Sequence, residues 1–418
     1  MKATDVQLQS RAAHPEVTVL DRWLAMRLQR AIEAVGLRLE LWDGTCLYAS
    51  GTRPIGDLVV RNTRTLLGLL VNPDLWFGEA FMMRDLEVRG SLEGVVEALS
   101  RLHPPFPSHT GFLRAALARR NTRRHSRRNV HHHYDLGNDF YEQWLDTDLV
   151  YTCAFFEDAA MTLEEAQRAK LDLVCRKLRL QRDERVIEAG CGWGALALHM
   201  ARYYGVRVLA FNISREQLAY ARERASELGL SDRVEFVDDD YRNARGEFDV
   251  FVSIGMLEHV GLREFPTLGS VIRRTVRRAG GRGLLHFIGR DVPRPLNAWI
   301  RRRIFPGGYA PTLAQVSARV LAPAGMSVID VENLRLHYAR TLAHWHERFQ
   351  AVADRVRARY GEQFERAWEL YLAGSRAAFA TGWMQLFQVV FAPFESEPPY
   401  WTRAEVYREN YSGVHLTR

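Results

Sequence analysis

One run, R-V-I-E-A-G-C-G-W-G at residues 185 to 194, limits the folds open to this chain more than any other stretch. Val186, Ile187 and Ala189 read as a short strand that runs directly into Gly190, Gly192 and Gly194. Glycines at such a junction permit dihedrals that other residues avoid and let a ligand approach the backbone. The following A-L-A-L-H-M-A-R-Y-Y has helical spacing, so the positive end of a helix faces the loop. A strand, a glycine turn and a helix form a cradle for a nucleotide-type ligand. In a dinucleotide fingerprint the third glycine follows the second by three positions, whereas here it follows by two. Glu188 at the strand end suits the cationic amino group of S-adenosylmethionine. These residues favour adenosylmethionine, with a dinucleotide and a purely structural turn as the alternatives.

Downstream, strands expected at Val206 to Phe211, Val234 to Val237, Phe248 to Ile254 and Gly283 to Ile288 alternate with helical patterns such as Arg215 to Leu228. Such alternation predicts an α/β fold with a parallel sheet and ligands at the carboxyl ends of its strands. The long insertion after Gly289, with Arg301, Arg302 and Arg303, reads as a lid. Strand-like patterns return at Met326 to Leu336. From Leu342 to Phe391 the tail reads as helical and aromatic-rich, a stripe suited to core packing or to the wall of an acyl-chain channel.

Ahead of this domain, helical spacing from Leu20 to Ala34, a hairpin about Asp43-Gly44, a strand near Asp57 to Val60 and helices over Thr63 to Met83 and Ser91 to Leu102 predict a small α+β domain. The expected organisation is residues 1–107 for this domain, 108–130 for a basic linker and 131–418 for the catalytic domain. Arg119, Arg120, Arg123, Arg124, Arg127 and Arg128 make the linker a cationic stripe. With a formal charge of +7, that stripe suits lipid headgroups or phosphodiesters, against the plain alternative of a solvated linker. No aromatic residue interleaves the arginines, which counts against single-stranded nucleic acid.

His131, His132 and His133 lack a spaced carboxylate and cannot all face one ion, so no metal site is expected. Four scattered cysteines without a Cys-x-x-Cys pair fit a reducing cytoplasm. No apolar run approaches the ~18 residues of a membrane span, and any membrane contact is expected to be peripheral.

Nine motifs, in order from residue 133 to 391, are similar to cyclopropane fatty acid synthases: H-Y-D-L-G-N-D-F-Y, Y-T-C-A-F-F, E-A-G-C-G-W-G, I-S-R-E-Q, D-Y-R, S-I-G-M-L-E-H-V-G, L-L-H-F-I-G, I-F-P-G-G and L-F-Q-V-V-F. The N-terminal G-E-A-F-M at 78 to 82 is similar to the smaller domain of longer bacterial members. The resemblance implies a Rossmann-like class I methyltransferase sheet. It further implies methylene transfer from S-adenosylmethionine to the cis double bond of a phospholipid acyl chain, through a carbocation that loses a proton to bound bicarbonate. The implied bicarbonate site is Cys153, Glu258, His286, the backbone of Ile288 and Tyr338. The implied cofactor contacts are Tyr151, Thr152, Gly190, Gly192, Asn212, Ile213, Gln217, Asp240, Tyr241 and Ile254. The chain departs from the family at Asn212, where threonine is usual, at Thr152 in place of serine, and in D-Y-R-N-A in place of D-Y-R-D-L.

The resemblance also implies a homodimer acting on unsaturated phospholipids at the anionic inner face of the membrane. Rival readings are a lipid methyltransferase giving methyl-branched or methylene chains, a non-catalytic lipid-binding relative, and a nucleic-acid methyltransferase. The last would carry an Asn/Asp-Pro-Pro-aromatic motif after the fourth strand, where this chain reads G-M-L-E-H-V-G.

Overall fold

The computed structural model describes residues 16–47, 54–102 and 136–407. The expected basic linker, the histidine triplet and the start of H-Y-D-L-G-N-D-F-Y lie outside them. The chain separates into two units, Met1–His103 and Pro104–Arg418.

In the first unit, helix α1 (Val19–Ile32) begins at a reciprocal cap, in which Asp21 N–H donates to Thr18 Oγ1 at 3.2 Å and Thr18 N–H donates to Asp21 Oδ2 at 2.9 Å. Its inward stripe of Leu24, Ala25, Leu28 and Ile32 packs on a four-stranded sheet made of β1 (Leu37–Glu40), β2 (Cys46–Leu47), β3 (Gly56–Val60) and β4 (Leu86–Gly90). The strand order is β2-β1-β3-β4. The β1–β2 hairpin turns at Gly44, whose φ of +84° requires a residue without a Cβ penalty. Thr63–Val71 and Pro73–Met82 form two helices, α2 and α3, because Pro73 cannot continue the first but suits the start of the second. Helix α4 (Leu92–Ser100) follows β4, a strand the sequence patterns do not announce.

The second unit contains α5 (Leu163–Leu178), β5 (Arg185–Ala189), α6 (Ala195–Tyr204), β6 (Arg207–Asn212), α7 (Arg215–Glu227), β7 (Val234–Asp238), β8 (Val250–Ile254), α8 (Phe265–Thr275), β9 (Arg282–Gly289), β10 (Met326–Asn333), α9 (Arg335–Tyr360), α10 (Glu362–Ala380) and β11 (Gln385–Pro393). Its seven strands run in the order β10-β11-β9-β8-β5-β6-β7. Successive side chains on a strand face opposite ways. Val186 therefore joins a core under α5, α6 and α7, while Ile187 and Ala189 join a second core under α8.

Three expectations need correction here. The sheet is mixed rather than parallel: β11 runs antiparallel to both β9 and β10. The tail is helical only to Ala380, since Gln385–Pro393 is a strand buried along its whole length. A short apolar run covered on both faces has no period to separate strand from helix, and L-F-Q-V-V-F is such a run. Likewise β10 stops at Asn333, and Leu336 belongs to α9. The aromatic stripe is mainly core, with Trp345, Phe349, Trp368, Tyr371, Phe379 and Phe387 buried. Among the described residues no helix is long and apolar enough to cross a membrane.

Candidate active site

The glycine turn after β5 is stitched to β6, because Gly190 N–H and Cys191 N–H both donate to Phe211 O, at 2.9 and 3.1 Å. All three glycines have positive φ, +84° at Gly190, +54° at Gly192 and +89° at Gly194. Their surroundings differ. A Cβ on Gly190 would meet Met256 Cβ at 2.9 Å, and one on Gly194 would meet Phe236 Cζ at 2.8 Å and Ala221 Cβ at 2.9 Å. A Cβ on Gly192 would meet nothing within 4 Å. Gly190 and Gly194 are thus dictated by packing, and Gly192 leaves open the space that a ligand would take.

Asn212 at the end of β6 explains its own departure from threonine. Its Nδ2 donates to Gly192 O at 3.0 Å and to Gln217 Oε1 at 2.9 Å, while its Oδ1 accepts from Ile213 N–H at 2.7 Å and Ser214 N–H at 3.3 Å. With two donors and two acceptor sites filled, the amide is committed to the protein. Asn212 acts on the cradle by fixing the glycine loop and aiming Gln217, a task a single hydroxyl cannot fill. Asp240 is similarly engaged, as both its oxygens receive the Arg242 guanidinium at 2.8 Å. Tyr241 opens the short turn that Asp240 caps after β7, and Ile254 ends β8.

The segment 150–156 is pinned from two sides. Gln167 Nε2 donates to Val150 O at 3.1 Å and Thr152 O at 2.8 Å, and from α9 Thr341 Oγ1 accepts Ala154 N–H at 3.0 Å. The hydroxyls of Tyr151 and Tyr371 meet at 2.8 Å, and Lys170 Nζ donates to Thr152 Oγ1 at 2.9 Å. Cys153 is wholly buried with its Sγ 3.8 Å from Leu334 O, the carbonyl that also accepts Tyr338 N–H at 3.1 Å. Burial pushes the Cys153 thiol up, so it stays protonated.

Near the carboxyl end of β9, Ile288 N–H donates at 2.6 Å to Oε1 of Glu258, which lies in the helical turn Leu257–Val260 after β8. Glu258 Oε2 and His286 Nε2 are both buried without a hydrogen-bond partner. Burial raises the Glu258 carboxyl to about 7, with the Ile288 N–H opposing the rise. Burial, reinforced by the charges of Lys170 and Lys177, holds the His286 imidazole well below its usual range. Unpartnered buried polar atoms are rare and call for an occupant. An oxyanion carrying one proton fits this pair, since a neutral imidazole can donate to it and a carboxylate can accept its proton. Adenosylmethionine fits the adjoining cradle: Glu188, next to last in β5, has Oε2 buried and unpartnered, its carboxyl raised to about 8 by burial against the opposing charge of Lys170.

Lys170 is a central residue that sequence reasoning missed. It is 1% exposed, burial lowers its pKa to about 8, and its charge reaches Asp146, Cys153 and Glu188. Lys170 and Lys177 both fall on the buried stripe of α5 with Ala166, Leu171 and Val174, and this break in an apolar stripe was the available signal.

A family model described as mycolic acid cyclopropane synthetase matches residues 121–389, and one described as a domain of unknown function, DUF7884, matches residues 25–110. The chain is 37% identical over 388 residues to a probable fatty acid methyltransferase of Pseudomonas putida, covering 89% of this chain and 96% of that one. It is 39% identical over 261 residues to the cyclopropane-fatty-acyl-phospholipid synthase of Escherichia coli K12, covering 62% of this chain and 66% of that enzyme. The crystal structure of mycolic acid cyclopropane synthase CmaA1 with SAH and CTAB matches with a TM-score of 0.60 at 30% identity, covering 63% of this chain and 97% of that one.

Proposed function

Because the chain belongs to the mycolic acid cyclopropane synthetase family, a Rossmann-like class I group of adenosylmethionine-dependent lipid methyltransferases and cyclopropane synthases, we propose that it transfers a methylene group to the cis double bond of unsaturated phospholipid acyl chains. The observation that carries this reading is the buried Glu258, in the helical turn after β8, and the buried His286 of β9, each with one unpartnered atom. An alkene is a weak nucleophile and the cation it yields is short-lived, so a site for this chemistry must align the reactants, exclude water and place a proton acceptor nearby. Bicarbonate, when bound, supplies the oxygen base that such a ring closure needs. Glu258, held by the Ile288 N–H, would accept a hydrogen bond from it, while His286, Cys153 and Tyr338 would orient it. Gly192, Gln217, Asp240 and Glu188 would hold the methyl donor. The Trp144, Tyr151 and Trp345 rings, 5.2 to 5.8 Å apart between centroids, supply the water-poor wall.

The second reading is methyl transfer without ring closure, which differs only in the carbon that loses its proton. The extended similarity to a probable fatty acid methyltransferase, reaching into the N-terminal unit, favours keeping it. Full-length protein given adenosylmethionine, bicarbonate and vesicles of unsaturated phospholipid is expected to yield acyl chains heavier by one methylene. Fragmentation mass spectrometry separates the ring from the branch. Unmodified lipid in an assay where a known synthase works would reduce the chain to a lipid-binding relative.

We further propose that the enzyme works as a homodimer on the cytoplasmic face of the membrane, held there by the arginine-rich stretch. Binding to vesicles containing anionic lipid is then expected to weaken as salt rises and as anionic lipid is withdrawn. Binding insensitive to both would leave those arginines as a solvated linker.

A further inference from the structure

Across three neighbouring strands, Glu332 on β10, Gln388 on β11 and His286 on β9 stand abreast, paired Glu332 to Gln388 and Gln388 to His286 in the sheet register. Lys177 of α5 closes over the row, its Nζ donating to Gln388 Oε1 at 2.7 Å and to Glu332 Oε2. Gln388 Nε2 lies 3.1 Å from His286 Nδ1. Gln388 is wholly buried, His286 is 2% exposed and the Lys177 side chain 1%.

A lysine ammonium only donates. Paired with the Glu332 carboxylate, Lys177 therefore fixes which end of the Gln388 amide faces it: the oxygen. The amide nitrogen must then face His286, and Nδ1 must accept. An imidazole that accepts at Nδ1 carries its proton at Nε2. An imidazolium would set N–H against N–H, and the nearby charges of Lys170 and Lys177 oppose it as well.

We propose that the Glu332–Lys177–Gln388 row locks His286 as a neutral Nε2–H donor aimed into the site. His286 then binds an anionic oxygen and cannot be the group that takes the proton from the transferred methyl. Lys177 and Gln388 are positioning residues that act through it. This inference rests on the reading that the reaction base lies beside His286, but its first test does not depend on activity.

With selectively ¹⁵N-labelled histidine in the full-length protein, and His286 assigned by the signal lost in His286→Gln, wild type is expected to show Nε2 protonated and Nδ1 bare from about pH 6 to about 8. A protonated Nδ1, or titration of the ring in that range, would overturn the lock. Gln388→Glu keeps the shape and the Lys177 contact but turns an acceptor toward His286. It is expected to move the proton to Nδ1 and to lower kcat roughly 10- to 100-fold, the loss of one charge-assisted hydrogen bond, with adenosylmethionine affinity unchanged. Lys177→Arg, which still only donates, should keep the wild-type ring signature. An unchanged kcat after the proton has moved would overturn the proposed role. A locked His286 in a protein that modifies no lipid would instead refute the functional reading and leave the lock standing.

Discussion

Replacing Glu258 with glutamine is expected to cost at least about 10²-fold in turnover while leaving adenosylhomocysteine binding intact, because a base held by a positioned carboxylate contributes about that much. The same substitution should stabilise the fold at alkaline pH. The folded-state carboxyl titrates at about 7 against 4.5 for the free side chain, so the native protein binds this proton more tightly than the unfolded chain. Native stability then falls as pH rises from about 4.5 to about 7, and above 7 the whole penalty applies, about 3 kcal/mol. Glutamine retains an acceptor for the Ile288 N–H and carries no charge to bury. Denaturation midpoints should therefore favour Glu258→Gln at pH 8 and converge near pH 4. A variant with full turnover, or one less stable than wild type at pH 8, would remove Glu258 from the proposed role.

The second large effect separates two glycines that look alike in the sequence. At Gly194, alanine combines a φ of +89° with contacts of 2.8 to 2.9 Å to the buried Phe236 and Ala221, which should cost about 2–4 kcal/mol of stability. At Gly192, alanine meets only the left-handed penalty of about 1 kcal/mol, since its Cβ enters empty space. Gly192→Ala should stay folded yet bind adenosylhomocysteine more than tenfold less tightly by calorimetry, a loss of about 1.4 kcal/mol. Equal stability losses in the two variants, or undiminished binding in Gly192→Ala, would contradict this division between packing and ligand space.

The strand, turn and helix around Gly190 were legible because glycine spacing and hydrophobic period report directly on backbone shape. Strand β11 was not, since burial on both faces erases the alternation that marks a half-buried strand. Cys153, Glu258, His286 and Tyr338 could be singled out only through motif resemblance, because nothing in their local patterns links residues so far apart in the chain. Lys170, Lys177 and Gln388 stayed hidden for a different reason. A lysine in a helix normally reads as the solvent face, and its buried partners lie up to 211 residues away. The role of Asn212 was hidden as well, because its departure from threonine gives no hint of the four hydrogen bonds it makes within the protein.

The antiparallel seat of β11 between β9 and β10 divides the site by order of synthesis. The glycine turn, Asn212, Gln217 and Ile254 lie on consecutive elements of β5 to β8, and their contacts close short loops. His286 meets Gln388 across 102 residues, and the sheet gains that strand only when nearly the whole chain exists. Closing a loop over such a span costs chain entropy, which the burial of β11 along its whole length offsets. A chain cut before Gln385 would keep the residues of the glycine turn but lack Gln388, leaving His286 without its partner at Nδ1.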